Sequence, residues 1–98
     1  MKPNKILISP KADEDIYDIK KYSLEFFGAP RTKLYLTKIR SCLKTILKNP
    51  NIGTSSNNFL TGLRFYKVGS HLIFYKKKNN KIIVIRILHK SMNHKNHL

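Results

Sequence analysis

The step at which apolar residues recur changes once along this chain, near Gly62, and that change restricts the fold more than any other feature. From Ala12 to Leu47 apolar side chains return every three or four positions, the repeat of one helical face. From Leu63 to His89 they return every second position, the repeat of a strand whose two sides differ. Helices followed by consecutive strands imply an α+β domain in which a helical layer covers one side of an antiparallel sheet. With 98 residues there is material for one core and not for two, so residues 1–98 are expected to form a single domain.

Local signals place the elements. Asn4 to Ser9 reads as a short N-terminal strand. Ser9-Pro10 then starts a helix: the hydroxyl can cap free amides, the proline suits the first helical position, and Asp13, Glu14 and Asp15 favour the positive end of the dipole. Ala12, Ile16, Ile19, Ser23 and Phe26 give this helix its apolar face up to Gly28. Pro30 opens a second helix whose stripe is Leu34 or Tyr35, Ile39, Cys42, Leu43, Ile46 and Leu47, ended by Asn49-Pro50. The short Gly-Ala-Pro link makes the two an antiparallel hairpin. Residues 49–62 lack a period and read as a surface loop, with Ile52, Phe59 and Leu60 as anchors.

Three strands follow, Leu63–Val68, His71–Lys76 and Lys81–His89, joined at Gly69-Ser70 and Asn79-Asn80, and the tail 90–98 is expected to lie along the surface. Two-residue turns would set Arg64 opposite Tyr75, Tyr66 opposite Ile73, and Ile73 opposite Arg86. One face would then carry Leu63, Phe65, Leu72, Phe74, Ile83, Ile85 and Ile87. Being almost wholly apolar, it is expected beneath the helices, each residue contributing roughly 1.5–3 kcal/mol on burial. The other face, Arg64, Tyr66, His71, Ile73, Tyr75, Val84 and Arg86, is expected to stay open as the working surface.

Charge narrows the function. Twenty Lys and Arg, sixteen of them Lys, stand against five acids, giving a net +15, and all five acids (Asp13, Glu14, Asp15, Asp18, Glu25) lie in one early segment. So one-signed a distribution predicts an anionic partner: nucleic acid, an acidic protein segment, or both. The single Cys42 cannot form an internal disulfide and no secretion signal is evident, which fits the cytoplasm. The longest apolar run, Ile82–Leu88, contains Arg86 and falls far short of the ~20 residues of a membrane span. No cofactor motif is present. His89, His94 and His97 have no carboxylate near in sequence, so no metal site is expected.

Metal-independent RNA cleavage needs a cation for the phosphorane and groups that move protons. Arg64 and Arg86 could serve the first need, and His71, His89 or Tyr75 the second, although His89 falls by alternation on the apolar face. Non-specific nucleic-acid binding through the basic surface, with Tyr66 and Tyr75 stacking on bases, is a further alternative.

Several fragments, in order, resemble one family. Ile8-Ser9-Pro10-Lys11-Ala12 leads into Asp15-Ile16 and Ile19; Asn49-Pro50 precedes Ile52-Gly53; then come Gly62-Leu63-Arg64, Val68-Gly69, Ile73-Phe74-Tyr75 and Ile85-Arg86-Ile87-Leu88-His89, with Met92 and His97-Leu98 closing the chain. Together they resemble the ParE branch of the ParE/RelE toxin superfamily nearly end to end. The resemblance implies a helical hairpin on an antiparallel sheet, cytoplasmic action, a cognate ParD-like antitoxin encoded beside the toxin, and poisoning of DNA gyrase by binding without chemistry of its own. The RelE branch of the same fold instead cleaves messenger RNA on the ribosome. Asn93 and Lys95-Asn96 depart from the usual ParE ending, where an Asp and a Glu-Arg pair are common.

Overall fold

A computed structural model describes residues 3–98. Its element order follows the switch in period: β1 (Lys5–Ile8), α1 (Pro10–Phe27), α2 (Ala29–Lys48), β2 (Thr54–Ser55), β3 (Arg64–Val68), β4 (His71–Lys78) and β5 (Lys81–His89), then a single 3₁₀ turn over His94–Asn96. Ser9 caps α1 as its sequence suggests, its Oγ accepting the Ala12 N–H at 3.0 Å. Gly28 (φ +84°) ends α1 and begins α2. Close beside it the Thr32 hydroxyl lies 2.6 Å from Ser23 Oγ and 2.9 Å from Gly28 O, so the two polar groups buried between the helices satisfy each other.

The sheet is mixed and has five strands, in the order β1-β5-β4-β3-β2. The α+β class and the two-helix layer stand, while the expected three-stranded meander gains a strand at each edge. β1 runs parallel to β5, and Thr54–Ser55, from the stretch read as loop, pairs with β3. Both hairpin turns have two residues, with Val68 facing His71 and Lys78 facing Lys81, and Arg64 lies opposite Tyr75 as expected. The β4–β5 register then slips: Tyr75 faces Val84 but Phe74 faces Arg86, leaving Ile85 as the extra residue of a bulge. Ile73 therefore faces Ile87 and not Arg86.

The covered face is the opposite of the one expected. Ile73, Tyr75, Val84, Val68 and, through the bulge, Ile87 join Ala12, Ile19, Ile39 and Ile46 in the main core between sheet and helices. Tyr75, proposed for an open surface, has no exposure at all, and Tyr66 packs against the same core. Leu63, Phe74 and Leu88, with Phe65, Leu72 and Ile85 around them, make a smaller cluster on the far side. Two causes combine. The Tyr75 hydroxyl is satisfied inside, donating to Pro50 O at 2.8 Å and accepting the Gly53 N–H at 2.9 Å, so a residue counted as surface-facing is buried without loss. The far-side cluster is sheltered by the tail, whose His94 ring lies 5.1 Å from that of Phe74. On α1 the expected apolar residue Phe26 is 59% exposed, and on α2 it is Tyr35, not Leu34, that turns inward. Cys42 is half-buried against the core, and burial pushes its thiol pKa up, as befits a packing residue.

β1 is shorter than β5, and the outer edge of β5 beyond Val84 needs other partners for its backbone. The chain entering α1 supplies them. Ser9 N–H donates to Val84 O at 3.0 Å, Ser9 Oγ donates to Ile85 O at 2.7 Å, and Asp15 accepts the Ile87 N–H at 2.9 Å. This edge closure draws a carboxylate into the protein and fixes where α1 crosses the sheet.

Candidate functional site

The Asp15 carboxylate taken into that edge requires a cation, and Arg86 provides it. Arg86 Nε and Nη2 reach the two Asp15 oxygens at 2.8 Å each, while Nη1 donates to His97 O in the tail at 3.1 Å. Hydrogen bonding to Asp15 raises the guanidinium pKa further. Every nitrogen of this arginine is thus engaged inside the fold. Arg64 is also occupied: its Nη1 donates to Gly53 O at 2.7 Å, holding the same loop that Tyr75 binds. A side chain at Gly53 would meet Tyr75 Oη at 2.5 Å, so this loop needs glycine there to approach the sheet. Burial raises the Tyr75 hydroxyl pKa, against lowering by the Gly53 amide and Arg64.

The residues expected to share one surface therefore fall in two places. Arg64 and Tyr75 clamp the loop around residues 50–53. His71 and His89, ladder partners four residues along β4, lie about 13 Å away, at the other end of the strand. Here α2 contributes Tyr35, whose hydroxyl accepts the Ser70 N–H at 3.1 Å and lies 3.0 Å from Val68 O and 2.6 Å from His71 Nδ1. The turn must pass close to this ring. Gly69 has φ +55°, and a Cβ there would come within 2.6 Å of Tyr35. Burial, with some help from neighbouring His89 and against the pull of Asp15, lowers the His71 pKa to about 4, so the ring is neutral at physiological pH. His89 turns its Nδ1 to Ser91, accepting that residue's N–H at 3.1 Å.

These groups form the floor of an open groove of about 680 Å³ between the helical hairpin and the β4–β5 end of the sheet. Its helical wall is aromatic. Tyr22 lies 4.5 Å from Phe26 and 6.3 Å from Phe27, ring centre to ring centre, and the Arg31 guanidinium sits 5.1 Å above the Phe27 ring. Tyr22 is 58% and Phe27 52% exposed, which leaves a contiguous apolar patch beside a cation. Periodicity could not find this wall, since it lies off the buried stripe. The cue present in the sequence was the density of aromatics between Tyr22 and Phe27 just before the helical link.

Among the described residues no three His, Cys, Asp or Glu side chains are placed to hold a metal ion. His94 is committed to the Phe74 ring and, through Nε2, to His89 O at 3.3 Å. No helix among the described residues is long and apolar enough to cross a membrane.

Comparison with known proteins agrees with this architecture. Residues 6–94 match the family described as the ParE toxin of type II toxin–antitoxin systems, parDE. Toxin ParE1 of Caulobacter vibrioides is 34% identical over 98 residues, covering 100% of this chain and 99% of the relative. Toxin ParE1 of Mycobacterium tuberculosis is 28% identical over 90 residues, 91% of this chain and 92% of that protein. The fold is similar to a structure of the chromosomal ParDE system from P. aeruginosa, with TM-score 0.76 and 17% identity over 90% of this chain and 96% of the other. It is also similar to the YoeB dimer of Staphylococcus aureus, with TM-score 0.60 and 26% identity over 91% and 98%. YoeB in the YoeB–YefM complex of the same organism matches with TM-score 0.59. With one family matched across nearly the whole chain and a full-length relative above 30% identity, the protein belongs to the ParE toxin family of type II toxin–antitoxin systems.

Proposed function

We propose that this toxin acts in the cytoplasm by binding DNA gyrase and stopping replication, without catalysis of its own, until an acidic ParD-like antitoxin occupies it. The observation that carries the reading is the saturation of Arg86. A ribonuclease needs a cation free to meet the phosphate, and of the two arginines expected to serve it, Arg86 has all three nitrogens held by Asp15 and His97 O. Arg64 is bound to a loop carbonyl, Tyr75 is buried, and His71, with its pKa near 4, is a weak base at neutral pH. Of the groups a nuclease would use, Arg86 and Tyr75 are spent on the fold and Arg64 is tied to it through one nitrogen.

What the groove offers is recognition. Tyr22, Phe27 and Met92 are exposed at its rim with Arg31 beside them, the residue types that anchor protein interfaces. The apolar rim suits the apolar face of an amphipathic segment, Asp15 and Asp18 in the lining leave its acidic side to face the rest of the body, and the net charge of +15 would make association with an acidic chain fast and slowed by salt.

Purified toxin added to gyrase and plasmid tests the target. Supercoiling should stop or cleaved DNA should accumulate. Messages cut on translating ribosomes, with gyrase unaffected, would instead make this chain an endoribonuclease of RelE type and overturn the reading.

A further inference from the structure

At the end of the sheet away from the groove, three strands bring lysines side by side. Lys5 is the ladder partner of Lys81 across the parallel β1–β5 pair, and Lys78 is the partner of Lys81 across the antiparallel β4–β5 pair. All three are exposed. Their neighbours Ile6 and Ile82 pack into the helix-side core, so alternation turns Lys5, Lys81 and Lys78 to the far face. Lys76 lies two residues back on β4 and shares that side. Adjacent strands are about 4.8 Å apart, which makes this a row of three positive charges on fixed backbone positions.

Like charges directly opposite one another destabilise a sheet, and nothing nearby offsets these. The five acids are confined to positions 13–25 on α1, which runs from Ser9 toward the groove end. Asp15 binds at Ile87, six residues and about 20 Å along β5 from Lys81. Among the described residues the one ion pair is Arg86–Asp15, so no lysine of the row has a carboxylate partner. The tight turn at Asn79-Asn80, with Asn79 at φ +57°, keeps the tip short and free of apolar side chains.

We infer that the row Lys5–Lys81–Lys78, backed by Lys76, seats the phosphate backbone of duplex DNA. Its direction is the reason to prefer DNA over an acidic peptide. A peptide joining the sheet as a strand beside β1 would run at right angles to the row and meet Lys5 alone, whereas a phosphate chain laid across the strands meets all three. Single strands are recognised by stacking, and the row contains no aromatic residue. The inference stands independently of the gyrase reading, because its test contains no gyrase.

The test measures binding of the full-length toxin to a labelled mixed-sequence duplex over a range of salt concentrations. A K5Q/K78Q/K81Q variant is compared with K33Q/K38Q/K44Q, which removes the same charge from the exposed side of α2. Each phosphate contact contributes about 0.9 to the slope of log K against log salt, so the row variant should be shallower by about 2.7 and the α2 variant by less than one. The row variant's affinity in low salt should drop at least about tenfold. The single K81Q change, expected to remove about 0.9, gives a second reading should the triple variant fold poorly. Equal losses in both triple variants, or none in the row variant, would overturn the inference. So would tighter binding of poly-glutamate than of the duplex at equal ionic strength, which would make the row a seat for an acidic protein segment.

Discussion

Tyr75 and Phe74 are adjacent on β4, point to opposite sides of the sheet, and are both shut off from water, yet by different means. Tyr75 lies in the core under the helices, its hydroxyl tied to Pro50 and Gly53 of a loop that Arg64 also holds. Phe74 packs with Leu63 and Leu88 and meets the ring of His94, which belongs to a three-residue turn near the end of the chain. One side is closed by long elements whose polar groups are bonded across the structure. The other is a small strand-built cluster sheltered by a terminal segment held through Arg86, the Phe74 ring and His89 O. Such a difference places the helix side among the last parts to open and the tail side among the first.

The largest test of that contrast is Asp15→Ala. It strips the partner from a largely buried Arg86 and from the Ile87 amide, and should cost about 3–5 kcal/mol by denaturant unfolding. Adding Arg86→Met should restore part of the loss, since the uncompensated charge goes with it. A cost below about 1 kcal/mol would mean that this pair does not fasten α1 to the sheet edge.

A smaller effect sets the two aromatics against each other. Tyr75→Phe should cost about 1–3 kcal/mol, because the buried Gly53 amide loses its acceptor. His94→Ala, on the other side, should cost about 0.5–1.5 kcal/mol and increase binding of an apolar dye near Phe74. If the histidine change proves the costlier of the two, the ranking of the faces is reversed.

The last effect is in pH. His71 titrates near 4 in the folded chain and near 6.5 unfolded, so between these values the unfolded chain binds more protons. The stabilisation is complete above pH 6.5 and is lost as pH falls toward 4. His71→Phe should flatten that part of the stability profile, and a slope unchanged by the substitution would show that the ring is not held neutral by burial.

Most of the elements were legible because their signals are local. The Ser9-Pro10 cap, the Gly28 break and both two-residue turns depend on residues within a few positions of one another, and each appears where the sequence places it. The bulge at Ile85 was hidden, since an extra residue in a continuous apolar run leaves the hydropathy pattern unchanged. The site was less legible still. Asp15 reads from sequence as one of three acids at a helix start, and only the missing neighbour of β5 beyond Val84 makes it the carboxylate that takes Arg86 out of service. The groove wall formed by Tyr22, Phe27 and Arg31 exists because the helical hairpin ends where the sheet's other end begins.

The sequence by itself determined the α+β class, the single switch from helices to strands, the turns, the family and the separation of acids from bases, all of which follow from residue order and short-range physics. Only the tertiary structure decided which side of the sheet the helices cover. Alternation divides a strand's side chains into two sets but carries no sign. The sign came from long-range partners, namely a parallel first strand, a loop able to satisfy a buried phenol, and a tail that shelters the apolar set left outside.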